Sequence, residues 1–256
     1  MIHKYFYYLF IILFRVVGCV LHRKNIYIIS GADSSHFKSL LQLINSIHAI
    51  NPSGVTLKIY DLGLEINEIN YFKNLHPKIP LLKFDYANYP DYFDIKVNSG
   101  EYAWKSQVFK MEFDKTRKGE FLLWLDAGCF IRKKILLIKA SLLFYGFYSP
   151  LSGGSIKKLT HPQTIEELCL HQYAECQMLS AGLIGVKNSP INKMLIDEWS
   201  KHSFKKSIIA PCGSNRSNHR QDQSLFSLLL YSIYRIKKLP YFTTKWREIL
   251  PHRDIG

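Results

Sequence analysis

The sequence predicts an α/β domain built on a mostly parallel central sheet with helices packed against it. Three observations lead there. From Asn25 to Phe84, apolar runs of strand length alternate with segments of helical periodicity, as βαβ units do. The run Phe121-Leu122-Leu123-Trp124-Leu125 is apolar at every position, as a strand buried on both faces requires. Hydrophobic residues make up 47% of the 256 and charged residues 21%, which suits one large folded domain and argues against disorder.

Residues 5–21 are apolar apart from Arg15 and are flanked by basic residues. The length is at the short end for a bilayer span, and a mid-segment charge costs roughly 2.5–3.5 kcal/mol on insertion scales. No clear small-x-small cleavage site follows, and the aromatic cluster Tyr5–Tyr8 suits a membrane interface. The expectation is a membrane-associating segment over residues 1–24, peripheral at the cytoplasmic face. A single-span anchor is the alternative, and a buried helix comes last.

Asn25–Ser30 reads as the first core strand, ending at Gly31-Ala32-Asp33-Ser34-Ser35. Asp33 or Ser34 caps a helix carrying Phe37, Leu40, Leu41, Ile44 and Ile47 at helical spacing. A strand over Val55–Tyr60, a helix over Glu65–Leu75 and a strand over Ile79–Phe84 follow. Asp85–Ser99 reads as a loop, and a helix over Glu101–Lys118 leads into the Phe121–Asp126 strand. The second half is less regular. A short helix from His161-Pro162 runs through Leu170, a strand covers Ala181–Val186, and a helix covers Ser189–Trp199 with Pro190 in its first turn. Ala210–Asn218 is a loop, and Gln221–Tyr234 is the last helix.

Lysine and arginine number 34 against 20 acidic residues, a formal charge of +14. Stretches 1–24, 131–158 and 201–220 hold basic residues and no acid, a pattern that favours phosphorylated small molecules, an anionic membrane or nucleic acid. The five cysteines form no CxxC pair, which gives a zinc or redox site little support and fits a reducing compartment. The central strand stops at Asp126-Ala127-Gly128. Ligands in open α/β sheets bind outside the carboxyl ends of strands, so Asp126 beside two small residues is a candidate site element. Asp-Ala-Gly is equally a turn sequence, and both readings stand at this point.

Five motifs taken in order carry a resemblance: Ala32–Phe37 (Ala-Asp-Ser-Ser-His-Phe), Tyr60–Leu64, Tyr102–Lys105 (Tyr-Ala-Trp-Lys), Trp124–Gly128 (Trp-Leu-Asp-Ala-Gly) and Arg220–Ser224 (Arg-Gln-Asp-Gln-Ser). Over roughly residues 25–235 the chain resembles a poorly characterised group of GT-A-type nucleotide-diphospho-sugar transferases. The resemblance implies one GT-A-like, Rossmann-like domain over residues 25–256. It also implies glycosyl transfer from a nucleotide-sugar donor to a glycan or lipid-linked acceptor, as in polysaccharide biosynthesis.

The implied donor site comprises Ala32, Asp33, Ser34, Lys105, Asp126, Ala127, Gly128 and Gly182. In it Asp33 contacts the nucleotide base or ribose, and Lys105 neutralises the diphosphate. Asp126 matches the first residue of an Asp-x-Asp that holds Mn or Mg, but Gly128 stands where the second Asp belongs. The metal would then be held by Asp126 with a distant histidine, His219 or His252, or the enzyme would be metal-independent. Asp222, with Asp126, is implied in catalysis, as a base on the acceptor hydroxyl or as a stabiliser of the oxocarbenium-like sugar. Small residues from Gly182 to Gly185 leave room for the donor sugar. Each residue also has a plainer role: Asp33 and Asp222 as helix caps, Lys105 as a solvated lysine, His219 as an exposed loop residue. Two other classes of function remain, a catalytically inactive GT-A scaffold and a basic nucleic-acid or membrane binder. The nucleic-acid reading lacks any aromatic-basic recognition motif and is disfavoured.

Overall fold

The computed structural model describes residues 25–50, 54–240, 243 and 248–255. The membrane-associating segment expected over residues 1–24 lies outside them. Among the described residues no helix is long and apolar enough to cross a membrane.

The central sheet has six strands in the order β3-β2-β1-β4-β9-β6. These are β1 (Ile26–Asp33), β2 (Val55–Gly63), β3 (Leu81–Lys83), β4 (Phe121–Leu125), β6 (Phe147–Tyr148) and β9 (Leu183–Lys187). β3, β2, β1 and β4 are parallel, in register Ile26↔Val55 and Ile26↔Phe121. β9 runs antiparallel to both β4 and β6. The sheet is therefore mostly parallel with one reversed strand, which carries the chain away from the carboxyl end of β4. Small pairs complete the strands: β5 (Phe130–Ile131) with β10 (Ile249–Leu250), and β7 (Leu151–Ser155) with β8 (Gln177–Leu179).

The principal helices are α1 (Phe37–Ile50), α2 (Ile66–Leu75), α3 (Ala103–Phe113), α4 (Leu136–Tyr145), α5 (Pro190–Ser203) and α6 (Gln221–Tyr234). Leu40 and Ile44 of α1 and Phe72 of α2 pack with Ile59 of β2, while Ile138 and Leu142 of α4 pack with Ile26 and Ile28 of β1. α3, α5 and α6 share a second core with Ile29, Leu122, Trp124 and Ile184. There Trp199 meets Phe226 and Phe109, with ring centroids 5.1 and 5.8 Å away. Every side chain of β4 is buried, each worth roughly 1.5–3 kcal/mol against exposure.

Some expected bounds shift. The helix expected over Glu101–Lys118 covers only Ala103–Phe113; it starts late because Asn98 to Tyr102 all have positive φ, between 46° and 62°. Residues 132–148, to which no element was assigned, contain α4. That helix is apolar nearly all round, with Leu137 and Phe144 exposed, so it lacked the polar contrast by which an amphipathic helix is read.

Candidate active site

The carboxyl ends of β1 and β4, the loop before β9 and the start of α6 open on a cavity of about 590 Å³. At its centre is Lys105, in the first turn of α3 and 2% exposed. Its Nζ lies 3.0 Å from Asp126 Oδ1 and 3.2 Å from Asp222 Oδ2, and it donates to the Ala181 carbonyl at 3.4 Å. The rings of Tyr102, Trp124 and Trp104 surround the ammonium at 5.4–5.8 Å. Burial alone would pull this amine down, but the Asp126 and Asp222 charges outweigh it and hold Lys105 above the ordinary lysine range. Asp222 is 4% exposed, and burial pushes its carboxyl up against the pull of Lys105. Lys105 is thus a buried, permanently charged group shared by two carboxylates.

Backbone strain delivers this lysine. The turn Asn98–Tyr102 is left-handed throughout, at a cost of roughly 1–2 kcal/mol per non-glycine residue. Gly100 belongs there because a Cβ would collide with the Phe93 carbonyl. The turn is fixed by Trp104 Nε1 donating to Ser99 O at 3.1 Å and by Glu101, which accepts from Asn98 Nδ2 at 2.8 Å and from Gln221 Nε2 at 3.2 Å. Gln221, beside Asp222, also has a positive φ of 37°. Strain therefore flanks both Lys105 and Asp222, as it does where a site must hold an otherwise unfavourable geometry.

Asp126 is placed from several directions. Its N–H donates to Gly182 O at 2.8 Å, and its Oδ1 accepts from Trp124 Nε1 at 2.6 Å. A Cβ on Gly182 would stand 2.9 Å from Asp126 Oδ2, so Gly182 is required by the carboxylate. Gly185 has a different reason. A Cβ there would meet Leu142 and Leu123 in the core, at 3.0 and 3.1 Å, and Gly185 does not line the cavity.

Ala32, Asp33, Ala127, Gly128, Gly182 and Asp222 line the cavity with Lys105 and Asp126. Asp33 also caps the turn that follows, accepting from the His36 N–H at 3.2 Å and the Ser35 hydroxyl at 2.7 Å. Burial would raise its carboxyl, but these donors outweigh it and hold Asp33 below the usual range. Ser34 is turned away. Its hydroxyl donates to Glu68 Oε2 at 2.6 Å and accepts from the Glu65 N–H at 3.1 Å, tying β1 to the start of α2.

His219 is not an exposed loop residue, and it does not line the cavity that holds Asp126. It is fully buried, its Nδ1 accepts from the His161 N–H at 3.1 Å, and its Nε2 donates to Ile209 O at 2.9 Å. Burial pulls this imidazole down to about 4, so it is neutral at pH 7 with both nitrogens engaged. His252, the other histidine considered, does line the cavity.

Among the charged lining residues and tyrosines, sequence reasoning assigned no role to Tyr102, Arg216, Arg220 and Asp254. Arg216 Nη1 donates to the Tyr102 hydroxyl at 3.1 Å, and the Arg220 Nε is buried without a hydrogen-bond partner. The basic stretch 201–220 was the available signal for the arginines. For Asp254 there was none.

Among the described residues no group of three or more His, Cys, Asp or Glu side chains forms a metal cage. A hard cation that shares its ligands with substrate phosphates needs only one or two carboxylates. The lining supplies them: four aspartates, Asp33, Asp126, Asp222 and Asp254, against the three cations Lys105, Arg216 and Arg220. A divalent cation fits that donor set.

A family model described as a protein of unknown function, DUF1647, matches residues 13–110. None of the curated proteins matches the chain. Among solved structures, the galactosyltransferase LgtC, crystallised with donor and acceptor sugar analogues, superposes with a TM-score of 0.52 at 15% identity. The match covers 79% of this chain and 70% of LgtC. The bifunctional glycosyltransferase WbbM superposes with a TM-score of 0.52 at 13% identity, over 85% of this chain and 39% of WbbM. The chain has the fold of the GT-A-type glycosyltransferases.

Proposed function

We propose that this protein is a glycosyltransferase that moves a sugar from a nucleotide-diphosphate donor to a hydroxyl of a glycan or lipid-linked acceptor. The observation that carries the proposal is Lys105, held charged between Asp126 and Asp222 inside a cavity at the carboxyl end of β4. Burying such a charge cluster costs desolvation energy, and ionisable groups held in this way in a cleft are characteristic of functional sites.

In this reading the nucleoside lies along Ala32 and Asp33, whose carboxylate accepts from a base or ribose donor. The diphosphate lies toward Lys105, Arg216 and Arg220. The bond between the anomeric carbon and the diphosphate oxygen breaks, and the nucleoside diphosphate leaves with the electron pair. The fixed positive charge of Lys105 stabilises that leaving group without reorganisation. The acceptor oxygen bonds to the anomeric carbon and its proton passes to a carboxylate. Asp222 takes that proton in an inverting transfer, which its raised affinity for protons favours, or faces the oxocarbenium-like sugar in a retaining one. A divalent cation, Mn or Mg, would be held by Asp126 and would neutralise charge on the diphosphate.

The acidic-free basic stretches and the apolar residues 5–21 support a peripheral position at the cytoplasmic face of a membrane, where a lipid-linked acceptor resides. Deleting residues 1–24 should move the protein to the soluble fraction, and unchanged sedimentation would remove this part of the reading. The transferase itself is tested by a thermal-shift screen against UDP-, GDP- and CMP-sugars, with and without manganese, followed by turnover with the sugar that binds. Stabilisation by one nucleotide class is expected. No shift with any of them sinks the proposal.

A further inference from the structure

Gly128 occupies the position where an Asp-x-Asp would carry its second carboxylate, and the structure shows what fills the space. A Cβ built on Gly128 would stand 2.5 Å from Asp254 Oδ2, closer still to Oδ1, and 2.5 Å from Cγ. An aspartate's own oxygens lie at about that distance from its own Cβ. The carboxylate of Asp254 therefore occupies space that a side chain at 128 would have to enter. Gly128 does not have a positive φ, so its backbone would accept a side chain. The glycine is required by Asp254 and not by the turn.

Asp254 is held there. The Arg253 N–H donates to Gly128 O at 2.6 Å, and the Ile255 N–H donates to Ser39 Oγ at 3.0 Å, one bond on each side of the residue. Upstream, Ile249 and Leu250 pair with Ile131 and Phe130, and Glu248 accepts from the Leu137 and Ile138 N–H groups at 3.0 and 2.9 Å, capping α4. The C-terminal stretch is thus tied to β5, α4 and α1 before and after Asp254. Asp126 and Asp254 line the same cavity.

We infer that Asp254 supplies, from the far end of the chain, the second carboxylate of a divalent-cation site whose first is Asp126. The inference rests on the transferase reading and goes beyond it. Lys105 and Trp124 already occupy Asp126 Oδ1, so Asp126 offers the cation its Oδ2, and a single oxygen is a weak site for a hard ion. Two carboxylates together with the diphosphate oxygens meet the usual requirement for Mg or Mn.

The test exchanges the carboxylate between the two positions. Mn2+ is titrated into the full-length protein with UDP or GDP present, and the free aquo-ion is followed by electron paramagnetic resonance. Asp254→Asn, which keeps the volume, and Asp254→Ala should each weaken Mn2+ binding by at least about tenfold. The double variant Gly128→Asp/Asp254→Ala should recover most of that loss, because the aspartate side chain then fills its own cradle. Unchanged Mn2+ binding in both single variants overturns the inference, as does a double variant that melts like wild type and recovers nothing. If the wild-type protein binds nucleotide but no Mn2+, this inference falls and the transferase reading stands. If it binds neither, both fall.

Discussion

Lys105 Nζ lies 3.2 Å from Asp222 Oδ2, a contact between two almost fully buried residues that are 117 positions apart in sequence and come from different helices. It brings the strained turn before α3 and the strained start of α6 to one point, and Asp126 closes the triad from the end of β4. Lys105 is the one cation that offsets both carboxylates in this triad, which leads to the first prediction.

Lys105→Met removes the cation and leaves Asp222 buried and uncompensated. Breaking a buried pair by removing one partner costs about 3–5 kcal/mol, so the urea midpoint should fall by a corresponding amount and turnover should be lost. Asp222→Asn should behave differently. The amide relieves the burial of a charge, so stability should hold or rise while turnover collapses. Equal destabilisation by the two variants, measured by urea denaturation at neutral pH, would contradict this account of the triad.

The two glycines of Ala181-Gly182-Leu183-Ile184-Gly185 should separate site from core. Gly182→Ala pushes a methyl group against Asp126 Oδ2, so activity should fall with little change in melting temperature. Gly185→Ala overfills the contact with Leu142 and Leu123, so stability should fall by about 1–3 kcal/mol while the folded fraction keeps its specific activity. Calorimetry and an activity assay on the same preparations distinguish them.

Asp33 carries a cap and a carboxylate at the cavity wall. Asp33→Ser keeps a capping oxygen and removes the charge, whereas Asp33→Ala removes both. The serine variant should stay within about 0.5 kcal/mol of wild type and the alanine variant should lose about 1 kcal/mol. Both should bind nucleotide more weakly. Isothermal titration with the nucleotide found in the screen reads the second effect, and full affinity in both variants would leave Asp33 as a cap alone.

His219 predicts a pH dependence. Its folded value of about 4 lies below the ordinary 6.5, so between those values the unfolded chain binds a proton that the native state does not. The stabilisation is complete above pH 6.5 and is lost as pH falls toward 4, up to about 3 kcal/mol for a shift of this size. His219→Gln should flatten the stability profile in that window. A profile unchanged by the substitution would mean that the acid lability comes from other groups.

The sequence already carried the alternation of strands and helices, the apolar β4 ending in Asp126, and the bounds of α6, Gln221–Tyr234. These follow from short-range patterning: apolar runs, helical spacing, and turn residues where a strand stops. α4 escaped because its surface is apolar on the exposed side as well, which erases the contrast on which periodicity depends. The left-handed turn Asn98–Tyr102 escaped because only Gly100 and Asn98 among its residues favour that conformation, and the tertiary contacts of Glu101 and Trp104 override the rest.

Gly128 marks the limit. From the chain alone it is a gap in an Asp-x-Asp, and nothing near it says how the gap is met. A lysine in a helix, a histidine in a polar loop and an aspartate near the C-terminus all look solvated locally, because local sequence reports propensity and not burial. Only the folding together of distant segments buries Lys105 and His219 and brings Asp254 against Gly128. Contacts over 114 positions in the case of Arg216 and Tyr102, and over 216 in the case of Ser39 and Ile255, are set by packing of the whole domain. The sequence by itself determined the strand–helix alternation and the strand end that carries Asp126; the tertiary structure decided which charges meet there, because burial and long-range distance exist only once the chain has closed on itself.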